Sequence, residues 1–267
     1  MPRKYVSVDG VATLLHHRGP TTLPGRPPDT STGEVVLCLH DAGDNGASFD
    51  AVEDALASAY TPIAFDQPGH GRSAGLDSLG SIAAMAAHAK AVADALDLAH
   101  PVLLGDGMGV ATALEAAIAD PDWPRALVLC GGVTARFEVD DQVEQLRRVT
   151  TGKARREFDT SGYAPATPKD VYERAFGEWV KTDPRATLGD REAEASWDAT
   201  GRLDAVRCAT LVVIGEHETT RDQAEALAGQ LAHARVVELS GAGRRGVIEQ
   251  PKALAAVITR FLEETRP

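Results

Sequence analysis

The chain has 267 residues, of which 43% are hydrophobic and 25% are charged, a globular composition with enough apolar residues for a sizeable core. Its formal net charge of −12 argues against a nucleic-acid-binding surface, which would need a basic stripe. The N-terminus shows no apolar leader and no apolar run reaches the length of a membrane span, so we expect a cytoplasmic protein that does not contact membranes.

From the N-terminus to residue 132, apolar strands alternate with helices. Residues 4–18 predict two short strands joined at Asp9-Gly10, a dipeptide typical of tight hairpin turns. Strands alternating with helices at this spacing indicate right-handed crossovers and a mostly parallel sheet. Further strands are predicted at 34–40, 61–65, before the turn at 105–109, and at 126–130, with helices at 48–59, 81–96 and directly after that turn.

Residues 133–206 interrupt this alternation, because they are charged and helical and contain no buried-strand run. The alternation then resumes with strands at 210–215 and 235–239 and helices at 221–232 and 251–264. A helical insertion between two parallel strands is expected to cover the carboxyl ends of the strands, where such sheets bind ligands. The sequence therefore predicts a core of residues 1–132 and 207–267 and a helical cap of residues 133–206.

The stretch 101–119, PVLLGDGMGVATALEAAIA, combines an apolar strand, a glycine-rich turn and an alanine-rich helix. This is the context of a nucleophile elbow, in which a G-x-S-x-G motif lifts a serine above the sheet. The central position of the motif is Gly107. Glycine has no side chain, so no alkoxide, thiolate or carboxylate can form there.

Five motifs follow one another in the order typical of one family: LHDAG at 39–43, DQPGHGRS at 66–73, LLGDGMG at 103–109, LVVIGEHE at 211–218 and SGAGRRGVIEQP at 240–251. With the strands between them, the chain resembles an α/β-hydrolase with a helical cap over nearly its full length. The resemblance implies an α/β-hydrolase fold, with a mostly parallel eight-stranded sheet flanked by helices. It does not imply the activity, since function depends on the site and not on the fold.

The same resemblance places the nucleophile at Gly107, the acid of the triad at Glu218 and its histidine at Arg244. Only the acid position keeps a suitable group, and no histidine follows His233 in the chain. The resemblance further implies an oxyanion hole formed by the backbone N–H groups of Ala42 and Met108, which side-chain changes leave in place. The triad is degraded, which argues against Ser-His-Asp hydrolysis.

Three charged residues around this site are catalytic candidates together with Glu218. Asp41 either takes up the space that an oxyanion would need or acts as a base if it is buried. Asp106 is a solvent-facing or helix-capping carboxylate, an acid/base group, a polar anchor under the cap or, in a shifted register, the nucleophile. Arg244 either pairs with Glu218 or Asp106 in the vacated triad or holds a carboxylate or enolate of a ligand.

Aromatic residues of the cap belong either to its own core or to the wall of a pocket for a small, partly apolar ligand. The pocket candidates are Tyr163, Tyr172, Trp179 and Trp197. We expect no organic cofactor and no metal, because the adjacent His16 and His17 have no further ligands to complete a site.

These observations leave three functional hypotheses. The first is an enzyme of secondary metabolism that acts on a small molecule by non-covalent acid/base or electrostatic catalysis, of the cyclase, lyase or isomerase type. The second is a non-catalytic pseudo-hydrolase that binds a ligand or partner. The third is residual ester or epoxide hydrolysis through Asp106 or a site water. The expected partner is a small molecule, nucleic acid is not expected, and a homodimer stays open.

Overall fold

A computed structural model of the chain describes residues 3–20, 22–23 and 26–266. Its eight strands form one sheet in the order β1-β2-β4-β3-β5-β6-β7-β8. β2 pairs antiparallel with both β1 and β4, and the other neighbours pair in parallel. The mostly parallel eight-stranded sheet expected from the sequence is confirmed. The strands are β1 Arg3–Val8, β2 Val11–His17, β3 Val35–Leu39, β4 Thr61–Phe65, β5 Val102–Asp106, β6 Ala126–Cys130, β7 Ala209–Gly215 and β8 Ala234–Leu239.

Helices cover both faces of the sheet, because the central strands are apolar at every position and side chains alternate between the faces. Leu37 and Leu39 of β3 pack with the helices α2, α3 and α7, whereas Val36 and Cys38 pack with α1 and α9. The helices are α1 Asp50–Leu56, α2 Ile82–Ala95, α3 Met108–Ala119, α4 Asp140–Thr150, α5 Lys169–Trp179, α6 Pro184–Ser196, α7 Arg221–Ala228, α8 Gly246–Glu249 and α9 Pro251–Glu264.

Local turn and capping signals account for several element boundaries. Asp9 and Gly10 have φ angles of 49° and 81°, the left-handed pair that a two-residue hairpin turn requires. The Ser81 hydroxyl accepts from the Ala84 N–H at 3.2 Å, so α2 begins where the sequence predicts. The helix predicted at 48–59 is shorter than expected, because a 3₁₀ turn capped by Asn45 precedes α1.

Three helices, α4 to α6, lie between β6 and β7, and the described part of this segment contributes no strand to the sheet. The segment is bound to loops at the carboxyl ends of the strands. The Gly43 N–H donates to Asp190 of α6 at 2.9 Å, and the Arg244 N–H donates to the Gly162 carbonyl at 2.7 Å. The cap therefore covers the edge of the sheet that carries the elbow. Its limits at residues 133 and 206 stay a prediction.

Throughout the described ranges, no helix is long and apolar enough to cross a membrane.

Two glycines allow β5 and α3 to approach the rest of the sheet closely. A Cβ on Gly109 would lie 1.9 Å from the Leu39 carbonyl oxygen, and a Cβ on Gly105 would lie 2.3 Å from the Gly109 carbonyl oxygen. Both neighbours are backbone atoms, which a side chain could displace only by moving a strand or the helix. The glycine spacing of the elbow motif is therefore a packing requirement as well as a turn requirement.

We expect Gly109→Ala to lower the free energy of unfolding by about 2–3 kcal/mol, since its methyl group would overlap β3. Gly177→Ala is the matched control, because no atom lies within 4 Å of a Cβ at that helical position. It should raise the free energy of unfolding by up to about 1 kcal/mol through helix propensity. Urea unfolding of both variants measures the difference, and equal stability of the two would contradict this packing argument.

Candidate active site

The elbow between β5 and α3 keeps the backbone conformation of a nucleophile position. Gly107 has φ 56° and ψ −115°, a region that only glycine adopts without strain. A Cβ at this position would lie 2.0 Å from Asp41 Oδ1 and 2.7 Å from Arg244 Nη2. Two side chains of the protein itself therefore occupy the space that a nucleophile would need.

The two oxyanion donors expected from the sequence converge on one point, and that point holds a carboxylate oxygen. Asp41 Oδ1 accepts from the Ala42 N–H at 2.8 Å and from the Met108 N–H at 2.9 Å. Of the two roles considered for Asp41, this geometry corresponds to the first, in which the side chain takes up the space of the oxyanion. Both backbone donors of the expected oxyanion hole are in place, and the carboxylate of Asp41 occupies the point on which they converge.

The second oxygen of Asp41 is held by two guanidinium groups. Oδ2 lies 2.8 Å from Arg244 Nη1 and 2.9 Å from Arg245 Nη1, and Arg245 also pairs with Asp44. Asp41 is 1% exposed, and burial alone would raise its pKa. The charges of Arg244, Arg191 and Arg245 outweigh burial and hold the pKa of this carboxyl well below its usual range. A carboxylate whose pKa is this low binds a proton weakly and is therefore a poor general base.

The acid position of the former triad has a different set of partners. Glu218 Oε1 accepts from the Gly132 N–H at 2.6 Å and from the Thr220 hydroxyl at 2.8 Å, and Oε2 accepts from the Gly215 N–H at 3.1 Å. These donors fix the carboxylate against the ends of β6 and β7. The ion pair of Arg244 is with Asp41, not with Glu218 or Asp106, so the pairing considered from the sequence is not the one observed.

Asp106 ends β5 directly below the elbow. It is 1% exposed, and its Oδ2 has no hydrogen-bond partner in the described structure. Burial raises the pKa of Asp106 to about 8, with Arg245 opposing the shift and Asp41 adding to it. A Cβ on Gly131 would lie 2.6 Å from Asp106 Oδ1 and 2.3 Å from the Arg244 carbonyl oxygen. Asp106 is thus a neutral carboxyl group near pH 7, beside the loop that carries Arg244.

A cavity of about 990 Å³ lies between the cap and the loops after β6, β7 and β8. Arg244 and Glu218 line it, whereas Asp41 and Asp106 are not among its lining residues. Its walls are mixed in character. The apolar side chains are Phe137, Val139, Leu146, Val149, Phe158 and Trp179, the guanidinium groups are those of Arg136, Arg155, Arg156, Arg191 and Arg244, and the carboxyl groups are those of Glu138, Asp141, Glu157, Asp159 and Glu218.

Of the four aromatic pocket candidates, Trp179 lines this cavity. Tyr163 and Tyr172 pack on each other with ring centroids 4.7 Å apart, and Trp197 donates from Nε1 to Glu115 at 2.9 Å. These three are not among the lining residues of this cavity, and their assignment to a pocket wall stays a prediction. The contact between Tyr163 and Tyr172 lies within the cap, whereas Trp197 joins the cap to α3.

Sequence reasoning did not single out the charged residues that the cap contributes. Asp190 of α6 lies 2.7 Å from His70 Nε2, and its Oδ2 also accepts from the Gly43 N–H. Arg156 and Arg191 line the cavity. A single charged residue on an amphipathic helix gives no signal that distinguishes a buried partner from a solvated one. Over the ranges described, no group of three or more His, Cys, Asp or Glu side chains could hold a metal ion.

Gly107→Ser tests whether the filled hole prevents acyl chemistry. We expect this variant to show no hydrolysis of p-nitrophenyl acetate above background, because its side chain would meet Asp41 and no histidine is present to activate it. The triple variant Gly107→Ser, Asp41→Gly, Arg244→His empties the hole and restores the missing base, and it should hydrolyse the ester measurably. Ester hydrolysis by the single variant would show that Asp41 does not block the site.

Asp106→Asn tests the buried acid. In the folded protein the pKa of Asp106 is raised to about 8 from an ordinary value of 3.8. The contribution of this shift to the free energy of unfolding is complete below about pH 4 and is lost as the pH rises through about 8. Asparagine cannot ionise, so the melting temperature of the variant relative to the unsubstituted protein should increase between about pH 5 and about pH 9. A difference that stays constant over this range would mean that Asp106 is already ionised at low pH.

Comparison with known proteins agrees with this architecture. The alpha/beta hydrolase family model matches residues 36–257. The chain is 28% identical to the polyketide synthase ThaQ of Burkholderia thailandensis over 248 residues, covering 87% of this chain but only 12% of ThaQ. It is 25% identical to BpoC of Mycobacterium tuberculosis, which carries the name of a non-heme bromoperoxidase, over 89% of this chain and 97% of BpoC.

Among solved structures, the enol-lactonase of Burkholderia xenovorans superposes with a TM-score of 0.83 at 22% identity, covering 97% of this chain and 100% of the lactonase. At this identity the likeness concerns the fold alone. The family match extends over most of the chain, from β3 into α9. The chain therefore belongs to the alpha/beta hydrolase family.

Proposed function

We propose that this chain is a small-molecule enzyme that binds a partly apolar metabolite under the cap and acts on it without a covalent intermediate. The observation that carries the proposal is the position of Asp41, which fills the oxyanion hole beside Gly107 while Arg244 lines the cavity. The reaction class that suits such a site is cyclisation, elimination or isomerisation, since none of these needs a nucleophilic side chain.

Hydrolysis is disfavoured by the state of the two backbone donors. Loss of a single oxyanion donor typically costs about 10²–10³ in rate, and here both Ala42 and Met108 already donate to Asp41. Arg244 stands where the resemblance places the triad histidine, so the group expected to activate a site water is absent from that position. Asp106 is buried and is not a lining residue of the cavity, so it is badly placed for nucleophilic attack. These points weigh against the residual-hydrolysis hypothesis.

Arg244 is the group best placed to act on a ligand. Its side chain is 26% exposed and lines the cavity, and one of its nitrogens is fixed by Asp41. Guanidinium stays charged at all working pH values and presents several donors in a rigid plane. A preorganised cation at this point would stabilise negative charge that develops on a carbonyl oxygen during enolisation or ring closure. In this proposal Asp41 positions Arg244, and Asp106 is a buried neutral carboxyl group beside the loop that carries Arg244.

The similarity to ThaQ supports a substrate of polyketide type. A chain of ketone and hydrocarbon groups matches a cavity whose walls combine apolar side chains with guanidinium donors. Because the chain spans 12% of ThaQ, this concerns the chemistry of the ligand and not the activity of the whole synthase. It is also the observation that favours secondary metabolism.

A second candidate is a non-catalytic binding protein of the same fold. It is favoured by the burial of Asp41 and Asp106 and by the backbone donors that hold Glu218. Of the four catalytic candidates, Arg244 and Glu218 line the cavity. Because backbone N–H groups and the Thr220 hydroxyl already bind the Glu218 carboxylate, Arg244 is the candidate left to bind a ligand. Binding would then stabilise the fold without turnover.

The test is product analysis by mass spectrometry with linear poly-β-ketoacyl N-acetylcysteamine thioesters as probes, in which a methylene carbon can add to a ketone of the same chain and the resulting alcohol can be lost as water. We expect a cyclised or dehydrated product, no acyl adduct on the intact protein, and a rate at least about 100-fold lower in Arg244→Gln. Arg244→Lys, which keeps the charge, should recover part of the rate, and Arg148→Gln on the exposed side of α4 is the control. Stabilisation without any product would select the binding protein, and an acyl adduct would contradict both candidates.

A further inference from the structure

Three guanidinium groups of the cavity wall differ in how their charge is balanced. Arg244 pairs with Asp41 at 2.8 Å, and Arg191 pairs with Glu194 at 2.6 Å. Arg156 lines the same cavity but has no ion pair with any described residue. The other two guanidinium groups of the wall, Arg136 and Arg155, also lack an ion pair with a described residue but are exposed to solvent. Arg156 is therefore the partly buried guanidinium group of the wall that has no direct counter-charge among the described residues.

Neutral partners hold the Arg156 side chain in place. Nη1 donates to the Thr182 carbonyl at 2.7 Å and Nη2 donates to the Thr187 hydroxyl at 3.3 Å. The guanidinium carbon lies 3.8 Å from the ring centroid of Trp179. Nε is buried and has no hydrogen-bond partner. The plane of the group is thus fixed before any ligand binds, with one donor still unsatisfied.

Burial without a counter-charge is unfavourable for a guanidinium group. Burial lowers the pKa of Arg156, and the more distant Asp183 and Asp44 only partly oppose this shift. An anion bound in the cavity would offset the unfavourable burial of the Arg156 charge. A carboxylate matches the planar arrangement of guanidinium N–H donors best. Part of the adjacent wall is apolar, since Phe158 packs edge-on against Trp179 with ring centroids 5.5 Å apart and Val149 lies along the same cavity.

We infer that Arg156 binds a carboxylate group of the ligand, and that the ligand is an organic acid whose apolar body lies against Phe158, Trp179 and Val149. This inference rests on the proposed binding of a metabolite under the cap and adds the chemical class of that metabolite. Arg156 is then a specificity-determining residue, separate from Arg244, which acts on the reacting part of the molecule.

The test compares 4-phenylbutanoate with 4-phenylbutanamide, which have the same shape and differ in charge, by isothermal titration calorimetry. We expect the carboxylate to bind about tenfold or more tightly than the amide. Arg156→Gln should abolish this preference while it still binds the amide, which shows that the variant is folded. Arg155→Gln is the matched control, because Arg155 lines the same cavity but is exposed, and it should keep the preference.

A preference for the carboxylate that survives in Arg156→Gln would overturn the inference, as would equal binding of the two probes or no binding of either. Val149→Trp, which narrows the cavity, separates this failure from failure of the proposed function. If both probes bind equally and both are lost in Val149→Trp, ligands bind under the cap but Arg156 does not select carboxylates. If binding is unaffected by Val149→Trp, the proposed binding under the cap is wrong as well.

Discussion

The carboxylate of Asp41 inside the oxyanion hole is the interaction on which the rest of the site depends. A buried anion needs compensation from every side, and it receives two backbone N–H donors at one oxygen and two guanidinium groups at the other. Gly107 is part of the same unit, because any side chain there would overlap Asp41. The departures from a hydrolase triad at these positions are therefore one physical rearrangement and not independent losses.

Interactions of charged side chains also connect the cap to the core. Asp190 of α6 accepts from the Gly43 N–H in the oxyanion loop and pairs with the buried His70. The next residue, Arg191, pairs with Glu194 within α6, and burial raises the pKa of Glu194 to about 7 while Arg191 opposes the shift. Because Asp190 and His70 are both buried, moving the cap away would leave each of them without its partner. The cavity consequently has a wall whose polar groups are held in fixed positions.

Regular patterns in the chain were sufficient to predict the fold. Continuous apolar strands, the glycine-rich turn and the order of the five motifs predicted the sheet, the elbow and the convergence of Ala42 and Met108. Long-range side-chain pairing was not predictable in the same way. Asp190 and His70 are 120 positions apart, and Arg156 differs from its exposed neighbour Arg155 only in where the cap places it.

The sequence by itself determined that no side-chain nucleophile stands at the elbow and that no histidine stands where the triad base would be, since these are facts of residue identity at Gly107 and Arg244. Only the tertiary structure decided what replaced them. Asp41 could have been a buried base or a carboxylate that takes up the space of the oxyanion. Its observed environment depends on two arginines brought to it from more than 200 positions away. The local pattern of residue types specifies the backbone conformation, whereas the partner of a buried charged group depends on how distant elements pack together.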